Sequence, residues 1–106
     1  MDQSQKLVRK FKEILGSNNV YYQIPSSEKM NYPAIKFSRN NIKTISANNK
    51  PYLNITRYTV TLMDRDPDSV FISAILELSG CKHDRHYVVN GLHHDTFTIT
   101  LQGGSK

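Results

Sequence analysis

Three consecutive stretches set the architecture of this chain: Tyr58-Thr-Val-Thr-Leu-Met-Asp64, Arg65-Asp-Pro-Asp-Ser-Val-Phe-Ile-Ser-Ala-Ile-Leu76, and Arg85-His-Tyr-Val-Val-Asn-Gly-Leu-His-His-Asp-Thr-Phe-Thr-Ile-Thr-Leu101. In the first, Tyr58, Val60 and Leu62 alternate with Thr59 and Thr61, the period-two pattern of a half-buried strand. In the second, Asp66 suits an N-cap, Pro67 suits the first helical position, and Asp68 sits near the positive end of the helix dipole. Val70, Phe71, Ala74, Ile75 and Leu78 then form the expected buried stripe, which Gly80 closes. In the third, Asn90-Gly91 is a strong signal for a two-residue hairpin turn. A two-residue loop pairs Val89 with Leu92, Val88 with His93, Tyr87 with His94 and His86 with Asp95. Phe97, Ile99 and Leu101 then share the core face with Val88. The whole reads as a β-α-β-β unit without an evident catalytic pocket.

Upstream, Leu7, Val8, Phe11, Ile14 and Leu15 lie on one stripe of a helix from about Ser4 to Leu15, and Gly16 is suited to end it. Val20 to Tyr22 is expected to form a short strand, and Ile24 to Pro33 a surface loop. Alternation resumes at Ala34 to Ser38 and again, weakly, at Ile42 to Ser46. A turn over Ala47 to Pro51 leads into the β-prone run Tyr52 to Met63, which makes a long hairpin. Its outer half, Ile42 to Ile55, has too few large apolar side chains to cover a core on both strands, so it is expected to project. Leu53 and Ile55 have one parity, whereas Tyr58, Val60 and Leu62 have the other. A bulge near Thr56-Arg57, or a change of packing partner, accounts for that switch.

At 106 residues the chain has the size of one domain. The expected domain covers residues 1–101, with 102–106 a disordered tail or expression remnant. Fourteen Lys and Arg against nine Asp and Glu give a formal charge of +5, which favours anionic partners without naming one. Lys6, Arg9, Lys10 and Lys12 are read as a solvated helix face rather than a DNA-binding stripe. The lone Cys81 excludes an intramolecular disulfide and suits a reducing cytoplasm. No apolar run approaches the ~20 residues a membrane span needs, and no secretory apolar segment follows Met1. A soluble protein made in the cytoplasm, without a membrane partner, is expected.

Cys81, His83, Asp84, His86, His93, His94 and Asp95 fall close together and are all plausible metal-ligand types. Their spacing matches no common zinc finger or ribbon, and the hairpin sends His93 and His94 to opposite faces. No metal or cofactor is expected. The competing reading pairs His86 with Asp95 and stacks His94 beside Tyr87. A ribonuclease-like site would take His83 or His86 as base, His93 as acid, and Arg85 or Lys82 as phosphate anchor. The spacing does not compel it, and no phosphate-binding loop or nucleophile elbow is present. Six tyrosines and four phenylalanines with scattered cations also permit a nucleic-acid platform, but several of those rings belong to the expected core.

The run TVTLMDRDPDS at 59–69, followed by DRHYVVNGLHHDTFTIT at 84–100, resembles the small tail-completion, or tail-terminator, proteins of long-tailed bacteriophages. The likeness extends more loosely through the N-terminal helix and YYQIPSSEKMNYPAI at 21–35. It implies a non-enzymatic virion protein, assembled in the host cytoplasm into a ring, commonly hexameric, at the head–tail junction. Such a ring caps the tail tube protein, meets the head connector, and has a lumen in which DNA contact is possible. The expected fold is α+β, mainly an antiparallel sheet with two helices on one face and a projecting long β-hairpin. Ile42, Thr44, Ile45, Leu53, Ile55 and Arg57 are the expected oligomer-interface residues, because a sheet edge offers unpaired backbone groups to a neighbour. A head-side neck or adaptor protein, or a small basic nucleic-acid binder or nuclease, is the alternative.

Overall fold

Alternation of Thr with aliphatic residues drives the longest strands, and the computed structural model describes residues 3–23, 30–47 and 50–104, without the side chains of 47, 50–52 and 103–104. The elements are α1 (Gln3–Leu15), β1 (Val20–Tyr22), β2 (Ala34–Ala47), β3 (Lys50–Asp64), α2 (Phe71–Leu76), β4 (Cys81–Val89) and β5 (Leu92–Gly104). The strands form one five-stranded sheet of order β1-β2-β3-β5-β4. β1 runs parallel to β2, and every other pairing is antiparallel. The fold is therefore α+β, as expected. The molecule is 52 Å long and 24 by 23 Å across. The 15 residues of β3, at ~3.3 Å each, account for the long axis.

Both helices contribute to one core on one face of the sheet. Leu7 and Phe11 of α1 and Ile75 of α2 join Ile35, Phe37, Tyr58, Val60, Leu62, Phe97 and Ile99, all of one strand parity. Phe37 is the hub: the Phe11 ring meets it edge-on at 5.2 Å and the Tyr22 ring lies at 4.6 Å. Truncating Phe11, which is fully buried, removes contacts worth about 3–5 kcal/mol. α1 ends where expected, with Gly16 at φ +68° and its N–H donating to the Lys12 carbonyl.

α2 departs from expectation at its start. It begins at Phe71, with Val70 as the N-cap residue and no side-chain cap bond. The acidic residues serve the preceding turn instead: Asp64 Oδ1 accepts from the Asp66 N–H, and Asp66 Oδ1 accepts from the Asp68 N–H. Asp and Asn make such local bonds as readily as helix caps, so the same signal fits either structure. Val70, assigned to the buried stripe, is 75% exposed.

The β4–β5 hairpin has the register that Asn90-Gly91 dictates: Val89↔Leu92, Val88↔His93, Tyr87↔His94 and His86↔Asp95. Phe97 and Ile99 are buried on the core face, whereas Val88 lies beyond the helices and is 51% exposed. β5 continues to Gly104, with Gln102, Gly103 and Gly104 paired to Ile55, Asn54 and Leu53. Residues 102–104 are thus part of the sheet, not of a disordered tail; residues 105 and 106 lie outside the described residues. Backbone hydrogen bonding alone can extend a ladder through Gly, which carries no apolar signal to read.

Candidate functional site

The change of parity in β3 is a change of face, with Leu53 and Ile55 on the side opposite Tyr58, Val60 and Leu62. β3 and β5 pair without a shift from Leu53↔Gly104 to Asp64↔His93, so no bulge lies at Thr56-Arg57. The β2–β3 pairing is irregular in two places: between Arg39 and Asn41, where one extra residue flips the faces of β2, and between Ile45 and Ser46. Beyond the first, Ile42 pairs with Thr56, Thr44 with Asn54, Lys43 with Ile55 and Ile45 with Leu53.

The six expected interface residues therefore divide between two faces. Ile42 and Thr44 share the helix side with Thr56 and Asn54, and the Thr44 hydroxyl bonds Asn54 Oδ1 at 2.9 Å. Ile45, Leu53, Ile55 and Arg57 lie on the helix-free face, because they alternate with Thr56 and the buried Tyr58. Ile45 is 39% exposed and Ile42 51% exposed. Leu53 and Ile55 are half-buried. Ile45, Leu53 and Ile55 thus make a small apolar cluster on the outer sheet.

Among the described residues, the edge beside this cluster is open. β1 pairs only with Ile35 to Phe37, and Gln23 extends that contact by one step, its Oε1 accepting from the Arg39 N–H at 3.3 Å. From Ser38 outward, β2 has a strand neighbour on one side only among the described residues. On the other side β3 is not an edge, since Ile55 pairs with Lys43 and also with Gln102. The outer sheet is three-stranded there rather than a bare two-stranded hairpin.

The histidines form a second site at the other end of the sheet. An irregularity between His83 and Arg85 in β4 brings His83 onto the same face as His86, His93 and Asp95. The buried Asp95 carboxylate accepts from His83 Nε2 at 3.0 Å and from His86 Nδ1 at 2.9 Å. The remaining nitrogen of His86 lies 3.1 Å from His93 Nδ1. Both nitrogens of His86 are thus engaged. Sequence spacing did not reveal this convergence, because the Asp84 bulge carries no signal of its own.

His94 is on the opposite face, where its ring stacks on Tyr87 at 4.7 Å and 14°. Its Nδ1–H donates to the Leu92 carbonyl. Lys82 and Arg85, the cations a nuclease would use as anchors, pair with Thr98 and Thr96 and so lie on the face away from the three clustered histidines. Among the described residues, no group of three or more His, Cys, Asp or Glu is placed to hold a metal ion. Burial, then the Asp84 charge, raises the Cys81 thiol to about 11, which keeps it protonated and unsuited to binding metal near neutrality. No helix is long and apolar enough to cross a membrane among the described residues.

No family model matches the chain, and no curated protein matches it.

Proposed function

We propose that this chain is a virion structural subunit of the tail-completion type, which assembles into a ring at the end of a phage tail tube and joins it to the head connector. The observation that carries the reading is the outer sheet. Among the described residues, an open β2 edge lies beside the apolar cluster of Ile45, Leu53 and Ile55 on the helix-free face. A ring interface is heterologous, so one surface of each subunit must fit a different surface of the next. Backbone groups of an open edge supply affinity, and aliphatic side chains next to it supply register. The sequence resemblance supplies the tail tube and head connector as partners, a hexameric ring, and the head–tail junction as location.

The histidine cluster gives the enzyme reading its best support, but its chemistry is less favourable. A nuclease needs a cation beside its acid–base pair to hold phosphate. Here Lys82 and Arg85 are separated from the clustered imidazoles by the thickness of the sheet. His86 has no nitrogen left for a substrate. The cluster is better explained as a polar brace that satisfies Asp95.

The test is functional capping. Purified protein added to growing tail tubes of its own phage should arrest elongation and render the tubes able to join heads. Tubes that elongate and remain headless in its presence would remove the assignment.

A further inference from the structure

The helix-free face of the inner sheet carries a charge imbalance. Lys36, Arg57, Lys82 and Arg85 all fall on it, since they pair in register with Thr61, Thr100, Thr98 and Thr96. Among the described residues of the sheet, Asp84, at the β4 irregularity, is the acid on this face, and it is already occupied. Lys82 Nζ lies 3.7 Å from it and the Thr98 hydroxyl donates to it at 2.6 Å. The other acids of the sheet, Asp64 and Asp95, belong to the opposite face, opposite His93 and His86.

Between the cations run rows of hydroxyls, with Thr59 and Thr61 on β3 beside Thr98 and Thr96 on β5. Threonine is also a good strand former, so the hydroxyls alone would say little. Combined with Lys36, Arg57 and Arg85, none of which has an ion-pair partner among the described residues, they supply the donor types that phosphate oxygens accept. The aromatic groups of this face already have partners: Tyr87 and His94 stack on each other, the Arg85 guanidinium sits 5.0 Å from the Tyr87 ring, Arg65 lies 5.9 Å from the Tyr32 ring, and the Tyr21 hydroxyl accepts from the Asn31 N–H. A face with few free rings and a regular array of donors suits a sugar–phosphate backbone better than exposed bases.

We propose that this face binds the phosphate backbone of duplex DNA without regard to sequence. The inference rests on the sheet face and not on ring formation. It is also separate from the apolar outer cluster, so one can fail without the other.

Fluorescence anisotropy with two labelled duplexes of unrelated sequence tests it, across a salt series. Both duplexes should bind alike, with log K falling against log salt at a slope of about −2 to −4. The Lys36→Gln/Arg85→Gln double variant should flatten the slope by about 1.8, at roughly 0.9 per lost phosphate contact. A control, Arg9→Gln/Lys12→Gln, makes the same charge change on exposed positions of α1 and should leave the slope nearly unchanged. Circular dichroism confirms that the variants fold, and light scattering reads assembly separately. Equal flattening by the control would place binding on α1 and overturn the assignment. Wild-type protein that ignores duplex but binds polyglutamate would also overturn it, in favour of an acidic protein partner.

Discussion

His86 Nδ1 lies 2.9 Å from Asp95 Oδ1, across the ladder in which these two residues are direct partners. The same oxygen receives His83, so one buried carboxylate holds two imidazoles on adjacent turns of the pleat. Replacing Asp95 by Ala leaves those ring N–H groups without their acceptor and opens space beneath them. The expected cost is about 1–3 kcal/mol. His93→Ala removes only an exposed contact and should cost less than about 1 kcal/mol. Urea midpoints for the two variants measure the difference, and an Asp95→Ala protein as stable as the parent would contradict the role given to this cluster.

Gly80 holds φ +73° where β4 begins, and its carbonyl accepts from the Thr100 N–H at 2.9 Å. A Cβ there would collide with the Thr100 carbonyl oxygen, which is backbone and cannot swing aside. Gly91 has a similar φ of +76° but open space around the missing Cβ. Gly91→Ala should therefore cost about 1 kcal/mol, the left-handed penalty alone. Gly80→Ala should cost at least twice that, and thermal melts that rank the two variants the other way would be inconsistent with this packing.

Cys81 should react slowly with iodoacetamide. With its thiol raised to about 11 by burial first and by Asp84 second, little thiolate is present at pH 8. Partly offset by the greater nucleophilicity of a high-pKa thiolate, the rate should fall roughly tenfold to 100-fold below that of a free cysteine peptide. The sign for stability follows: the folded state favours the protonated thiol, so this contribution is intact below pH 9 and lost as pH rises toward 11. Asp84→Asn should speed alkylation modestly, and labelling at the free-peptide rate in native protein would contradict the placement.

Much of the inner sheet was legible because its signals are local. Asn90-Gly91 pins the β4–β5 register residue by residue, and with it the His86–Asp95 pair and the Tyr87–His94 stack. The three register shifts were not legible. Asn40 and Asp84 are strand-disfavoured types, but so is the paired Asn41, so residue type alone does not say which position is the extra one that decides which side chains share a face. The parity change in β3 was visible and its origin was not, because a bulge and a change of face give the same apolar pattern in the sequence. The acidic turn before α2 misled for the opposite reason, since Asp66 has the right chemistry for two structures that differ by one turn of chain.

The pairing of Gln102 to Gly104 with Leu53 to Ile55 makes the end of β5 part of the outer sheet. Ending the chain at Leu101 should leave the core intact, since among the described residues no core side chain lies beyond that point. It should also expose the second edge of β3 and weaken assembly. Hydrogen exchange would show loss of protection at Leu53 to Ile55, and unchanged protection there would mean that this stretch is held by β2 alone.

The most direct measurement is the mass and shape of the purified protein, by light scattering and electron microscopy, beside the Ile45→Asp/Leu53→Asp variant. Both substitutions place carboxylates in the apolar cluster of the outer sheet, away from the helix-covered core. The account predicts closed rings for the parent, and a folded monomer for the variant with an unchanged circular dichroism spectrum. Rings that persist in the variant, or a parent that stays monomeric at every concentration, would contradict it.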